Sequence, residues 1–189
     1  MHRHLAKRLA ACACALSLTA AALTASMVTV TPGAWAQDSM MNDDPSFLSL
    51  GIGAYDVFQG DDSAVDFRLE YRHGKRLWLF KPWAGIEGTS DGAVYGMAGV
   101  LVDVFFGRRI VVTPSFGAGA YFEGDGKDLG SAIEFRSQVE IAYRFNDRSR
   151  LGVALSHISN ASIGDDNPGT EIVTLYYSIP LHRIFPPDS

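Results

Sequence analysis

Val65-Asp66-Phe67-Arg68-Leu69-Glu70-Tyr71-Arg72 sets an apolar side chain against a charged one at every step. Period two is the mark of an extended strand, whose successive side chains point to opposite faces. The pattern returns in 131–145, where Ile133, Phe135, Val139, Ile141, Tyr143 and Phe145 oppose Glu134, Arg136, Gln138, Glu140 and Arg144. Working outward from these two runs, the chain divides into eight: about 47–58, 64–73, 77–88, 93–106, 109–122, 131–145, 149–160 and 170–181. The segments between them are rich in Gly, Asn, Asp and Ser, the residues of turns and loops. No window holds a helical period, so the reading is all-β.

A soluble sandwich also alternates, with its apolar side chains turned inward. Four features favour the opposite orientation. The runs reach ten residues or more, their number is even, the connections alternate short and long, and the chain begins like an exported one. The expected fold is therefore an eight-stranded antiparallel transmembrane β-barrel of the outer-membrane type. Its apolar faces meet lipid, and its charged faces fill a lumen just wide enough for side chains. The lumen carboxylates Asp66, Glu70, Glu134 and Glu140 read as partners in structural ion pairs rather than as acid–base groups. Trp78, Trp83, Tyr121, Tyr143, Tyr176 and Tyr177 are candidates for the aromatic girdles at the membrane interfaces. With both termini periplasmic, the longer, acidic connections lie outside the cell and the short, more basic turns within. A barrel of this kind commonly ends on an aromatic residue; here the chain runs on through His182-Arg183-Ile184-Phe185-Pro186-Pro187, with Phe185 the candidate for that part.

The first residues place the chain in the export pathway. His2, Arg3, His4, Lys7 and Arg8 precede an uncharged run from Leu9 to Gln37 that contains Ala34-Trp35-Ala36. A basic start, an apolar middle and an A-x-A end describe a cleaved signal peptide, read here as residues 1–36. An exposed leader, 37–46, follows, and 47–189 form one barrel domain. Cys12 and Cys14 leave with the signal, so disulfide and thiolate chemistry are excluded from the mature protein. Three of the 16 Lys and Arg leave too; the remaining 13 against 21 Asp and Glu give a net charge of −8, which argues against a nucleic-acid partner.

Chemistry concentrates in the last hairpin, Leu151-Gly152-Val153-Ala154-Leu155-Ser156-His157-Ile158-Ser159-Asn160 and Thr170-Glu171-Ile172-Val173-Thr174-Leu175. Period two places His157 and Ser159 on the apolar, lipid-facing side with Leu151, Val153 and Leu155. On the return strand it places Glu171 on the same side with Val173, Leu175 and Tyr177. Cα atoms two apart on a strand are roughly 6.5–7 Å apart, a gap that His and Ser side chains can close. His157 then suits a general base for the Ser159 hydroxyl, and Glu171 suits the group that holds the imidazole. Asn160, beside Ser159, offers a side-chain amide to an oxyanion, as do backbone N–H groups where the strand meets the loop. Polar residues at a barrel rim cost only about 0–1 kcal/mol, so a lone His or Ser there is more often rim decoration than a catalytic group. Asp165-Asp166-Asn167 has calcium-binding residue types, but Pro168-Gly169 makes it a turn, and His73 and His182 have no partners at ligand spacing.

Ser156-His157-Ile158-Ser159-Asn160-Ala161-Ser162 followed by Asn167-Pro168-Gly169-Thr170-Glu171 resembles the signature of the lipid A 3-O-deacylases, the PagL-type family. The strong similarity covers about residues 151–181. The resemblance implies an outer-membrane serine hydrolase that removes the ester-linked 3-position acyl chain of lipid A, with Ser159 as nucleophile, His157 as base, Glu171 as third member and Asn160 at the oxyanion. It implies lipid A, a lipopolysaccharide component, as substrate and the lipids of the outer membrane as surroundings. No metal or organic cofactor is required by these parts. The sequence leaves the choice between monomer and homodimer open. The rival readings are a structural or adhesive barrel without activity, a lipid A acyltransferase and a cation-dependent phospholipase.

Overall fold

The computed structural model describes residues 44–60, 62–164 and 166–186. The expected signal peptide and residues 37–43 of the expected leader lie outside them. Nine extended segments and one short helix follow: β1 (Phe47–Tyr55), β2 (Ala64–Arg72), β3 (Lys81–Thr89), β4 (Val94–Leu101), β5 (Val104–Phe106), β6 (Ile110–Phe122), β7 (Ile133–Arg144), β8 (Arg150–Ser159), β9 (Thr170–Pro180) and α1 (Leu181–Ile184). Every pairing is antiparallel, in the order β4-β3-β2-β1-β9-β8-β7-β6-β5, and β4 pairs back onto β6 to close the sheet.

Segments β4 and β5 keep one register against β6, since Leu101 faces Ser115 and Val104 faces Val112. They are one wall strand interrupted at Val102-Asp103. Val102 N–H donates to Pro114 O at 3.0 Å, but the proline nitrogen has no hydrogen to return. The closed barrel thus has eight walls, as the period-two runs predict. The expected start of the third strand at 77 is corrected to Lys81, because Leu77 and Phe80 pair with each other across a tight turn. The last strand stops at Pro180. Phe185 caps the end of α1 rather than ending a strand.

The two faces divide as the alternation requires. Val65, Phe67, Leu69, Val139, Ile141, Leu151, Val153 and Leu155 are exposed on the outer wall. Inside, Arg136 lies 2.7 Å from Glu70, Arg72 lies 2.9 Å from Glu70 and 2.6 Å from Glu140, and Arg68 lies 2.8 Å from Asp66 and 2.9 Å from Glu87. Tyr176 adds a hydroxyl donor to Glu70 at 2.8 Å. The expected lumen ion pairs are present for Asp66, Glu70 and Glu140. Glu134 departs from the expectation: it is buried, and neither carboxyl oxygen has a hydrogen-bond partner among the described residues.

Two further expectations need correction. Trp83, Tyr121 and Tyr176 face the lumen and are buried, whereas Trp78, Tyr143 and Tyr177 are exposed outside. Trp83 lies under the Arg136 guanidinium at 4.3 Å, and a Cβ on Gly117 would stand 2.6 Å from its ring, so a glycine is what makes room for the indole. The end of the expected exposed leader is also buried. Asp44 reaches into the barrel to pair with Lys81 and Arg150, both of which also bind Asp103. Four charges from separate parts of the chain seal that end of the lumen.

Removing one partner from a dry ion pair strands the other charge at a cost of about 3–5 kcal/mol. Arg136→Met is expected to lower the urea midpoint of the barrel accordingly, and Glu70→Gln in the same chain to restore most of the loss. Equilibrium unfolding in lipid vesicles measures both.

Candidate active site

Strands β8 and β9 form the hairpin that carries the candidate residues, and their register decides who meets whom. His157 faces Glu171 directly, and His157 Nδ1 lies 3.0 Å from Glu171 Oε1. With the carboxylate ionised, Nδ1 carries the hydrogen and donates it, leaving Nε2 as an acceptor. The His157 side chain is 46% exposed and that of Glu171 23%. Both project from the outer wall, among Leu155, Val173 and Leu175.

Ser159 stands on the same face, one step nearer the rim, and is half-buried. No hydrogen bond joins it to His157 among the described residues. Its partner across the strand is Phe135 on β7, which stacks on Phe116 of β6 at 6.1 Å and 17°. Glu171 flanks the His157 side of the hairpin, and an aromatic ledge flanks the Ser159 side. Gly169 closes in from the loop. Its φ of +65° is left-handed, and a Cβ there would come within 3.0 Å of His157 Cε1. Any side chain at 169 would push on the imidazole.

The rim above Ser159 is held by Asn160, whose side chain is bonded to the neighbouring loops. Asn160 is buried, and its Nδ2 donates to Leu129 O and Asp166 O, each at 2.8 Å. Both amide hydrogens are spent on the loops, so the side-chain amide is not free to serve an oxyanion. Its Oδ1 accepts from Ser162 N–H at 2.9 Å, and its own N–H donates to Asn167 Oδ1 at 3.1 Å. Ala161 and Ser162 are both left-handed, at φ +53° and +62°, and Ile163 N–H closes the turn onto Asn160 O. Two consecutive left-handed L-residues cost roughly 1–2 kcal/mol each. The Asn160 bonds hold the chain in that shape directly after Ser159. The backbone N–H of Ala161 is the one in this turn without an acceptor among the described residues.

A second tie steadies the return strand. Lys127 donates to Asp56 Oδ1 at 2.6 Å and to Gln59 Oε1 at 2.8 Å, and Thr170, next to Glu171, donates to Asp56 Oδ1 at 3.2 Å. Burial opposes ionisation of Asp56, but the Lys127 ammonium and the Asp62 N–H hold its carboxyl below the ordinary carboxylate range. Parity alone puts Ser159, His157 and Glu171 on one outward face, as the structure has them. It misses Phe135, Gly169 and the Lys127–Asp56 tie, which depend on register between strands far apart in the chain; the Pro168-Gly169 turn was the one local signal. Asp166 and Asn167 act on Asn160, while Asp165 lies outside the described residues. Among the described residues no group of three or more His, Cys, Asp or Glu gathers as a metal site. His73 bonds to Tyr71 at the far end of the barrel, and His182 sits on α1.

Residues 48–180 match the family model described as lipid A 3-O-deacylase (PagL). The chain is 32% identical over 99 residues to a protein of Bordetella bronchiseptica named lipid A deacylase PagL, covering 51% of this chain and 56% of that one. It is 27% identical over 128 residues to the Pseudomonas aeruginosa protein of the same name, covering 67% and 61%. The aligned parts thus span less than two thirds of either relative. The crystal structure of the outer membrane enzyme PagL superimposes with a TM-score of 0.55 at 24% identity, over 71% of this chain and 99% of that one, a likeness of fold.

Asn160→Ala is expected to cost the rim about 2–3 kcal/mol of local stability, because buried carbonyls lose their donors. Faster proteolytic nicking of loop 161–169 in an otherwise intact barrel checks it. The Asp56 tie gives a pH dependence of known sign. A lowered folded-state pKa contributes stability that is complete above about pH 4 and is lost as pH falls through the lowered value. Spin labels on loop 124–131 should therefore gain mobility only in strong acid, and Asp56→Asn should remove that step.

Proposed function

The chain belongs to the lipid A 3-O-deacylase (PagL) family, and on that footing we propose that it is an outer-membrane serine hydrolase that removes the ester-linked 3-position acyl chain of lipid A. The observation that carries the reading is the His157–Glu171 hydrogen bond on the lipid-facing wall, with Ser159 two residues along the same strand. Buried polar pairs in a barrel lumen have structural work to do. A polar trio turned toward acyl chains has no such task, and chemistry on a lipid explains its place.

In this reading lipid A stays in the outer leaflet, and its ester meets the wall at the depth of Ser159. Nε2 of His157 takes the hydroxyl proton as Ser159 Oγ attacks the ester carbonyl. Glu171 keeps Nδ1 protonated and stabilises the imidazolium that forms. The developing oxyanion takes a backbone donor, and the Ala161 N–H is the candidate. Asn160 serves it indirectly, by holding the strained turn that presents that N–H. The imidazolium returns its proton to the departing sugar oxygen, leaving an acyl-Ser159 ester. Water from the rim then attacks that ester with His157 again as base and releases the fatty acid, the lipid A shorter by one chain having left with its sugar oxygen in the first step. No step calls for a metal or an organic cofactor.

Mass spectrometry of lipid A before and after incubation tests the proposal. Loss of one hydroxyacyl chain is the expected result. A gain in mass would indicate acyl transfer, release from phospholipids would indicate a phospholipase, and an unchanged mass would leave a barrel without this activity. Ser159→Ala and His157→Ala should each lower the rate by about 10³-fold or more, and Glu171→Ala by about 10²-fold or more, in barrels that still fold. A folded Ser159→Ala protein with full activity would refute the assignment.

A further inference from the structure

The end of the barrel opposite the His157–Glu171 pair carries a different surface. The β2–β3 connection runs His73-Gly74-Lys75-Arg76-Leu77-Trp78-Leu79-Phe80. Leu77 N–H donates to Phe80 O at 2.7 Å and Phe80 N–H to Leu77 O at 3.2 Å, which pushes Trp78 and Leu79 to the tip. Trp78 is 82% exposed, Leu77 70% and Leu79 52%. Trp78 is held left-handed, at φ +62°, and its ring meets Phe80 edge-on at 6.2 Å. A bulky residue is rarely found in that conformation, and here it displays an indole that no described residue covers.

Among the described residues the exposed charges beside this turn have one sign. Lys75 and Arg76 precede it, and Arg108 and Arg109 occupy the neighbouring β5–β6 turn. Arg109 is braced across Tyr143 at 5.8 Å and donates to Arg144 O and Asn146 Oδ1. Arg76 keeps Nη2 shielded without a hydrogen-bond partner. Among the described residues, the acids at this end either lie in the lumen, as Asp44 and Asp103 do, or pair with Arg183, as Asp147 does. At the other end the exposed charges among the described residues are acidic: Asp62, Glu123, Asp125, Asp128 and Asp166.

We propose that this basic, apolar-tipped end is a binding surface for anionic phospholipid headgroups. Leu77, Trp78, Leu79 and Phe80 sit below headgroup level, and Lys75, Arg76 and Arg108 contact the phosphates. Two observations select a lipid as occupant. The apolar turn is continuous with the lipid-facing wall through Tyr71, which is exposed on β2 and bonds His73. The cations Lys75, Arg76 and Arg108 adjoin that apolar turn and its neighbouring turn, as juxtamembrane basic residues adjoin anionic leaflets. Bound in this way, the turn fixes how deep the barrel rides and hence the height of the opposite rim.

The chain has three tryptophans, Trp35, Trp78 and Trp83. In the full-length chain carrying W35F and W83F, Trp78 is the only indole and reports on its own surroundings. The barrel is reconstituted in phosphatidylcholine vesicles containing a small, equal fraction of brominated phosphatidylglycerol or brominated phosphatidylcholine. The expected result is quenching of Trp78 by both, with a preference of about fivefold or more for the anionic lipid, about fivefold being the factor one interfacial cation supplies. Adding K75E, R76E and R108E should abolish the preference while leaving quenching by the neutral lipid. Equal quenching by the two lipids in the unreversed chain would overturn the headgroup site. Quenching by aqueous acrylamide in place of either lipid would overturn insertion itself. The measurement involves no lipid A, so its outcome is independent of the deacylase reading.

Discussion

Closure of the sheet is the constraint on which the rest depends. In hydrocarbon a backbone N–H or C=O without a partner costs several kcal/mol, so a strand-built span must have no edge. Pairing of β4 with β6 at one side and of β1 with β9 at the other meets that demand. Eight walls then leave a lumen too narrow for a channel and too large to leave empty. It is filled by charges, and a charge in a dry interior survives only beside its opposite. Hence the interleaving of Arg68, Arg72, Arg136 and Arg150 with Asp66, Glu70, Glu87, Asp103 and Glu140. The exception at Pro114, where one ladder bond cannot form, falls near the end of the wall, where β3 has already stopped.

The same alternation that loads the lumen leaves the outer wall free for chemistry. A residue on β8 cannot choose its face independently of its neighbours. Once Gly152, Ala154 and Ser156 turn inward beside the packed network, His157 and Ser159 must turn outward. Pairing then supplies Glu171 opposite His157 at no conformational cost beyond forming the hairpin. What the hairpin cannot supply is the shape of the chain just past Ser159. That shape is unfavourable in itself, and it is held from below by Asn160, whose amide spans the β6–β7 and β8–β9 loops through Leu129 and Asp166.

This division explains what could be read in the sequence. Parity is local, so the outward placement of His157, Ser159 and Glu171 and the inward placement of Glu70 and Arg136 were legible from spacing. The roles of Trp83 and Tyr176 were legible in principle too, since they share parity with Lys81 and Thr174; treating aromatics as girdle candidates by type alone obscured it. Register between distant strands is not local. Phe135 beside Ser159, Gly117 under Trp83 and Lys127 on Asp56 follow from shear and loop length, which the alternation does not encode. Asn160 shows the limit most sharply. Its place next to the candidate nucleophile invited a direct role, but it has 0% exposure and its side-chain amide donates to two loop carbonyls. The step from geometry to lipid A rests on the family.

The seam between β1 and β9 has a kinetic meaning. His157 and Glu171 are 14 residues apart, whereas Ser49 and Ser178, whose hydroxyls meet across the seam at 2.7 Å, are 129 apart. Loop-closure entropy and contact order both place the hairpin early in assembly and the seam late. Yet the carbonyl of Glu171 takes its hydrogen bond from Val57 N–H, on the far side of that seam. The pair is therefore written into a local element but anchored only when the last contact of the barrel is made. A chain caught before closure carries the right side chains on a strand whose other edge is still loose, and maturity of the site coincides with completion of the wall.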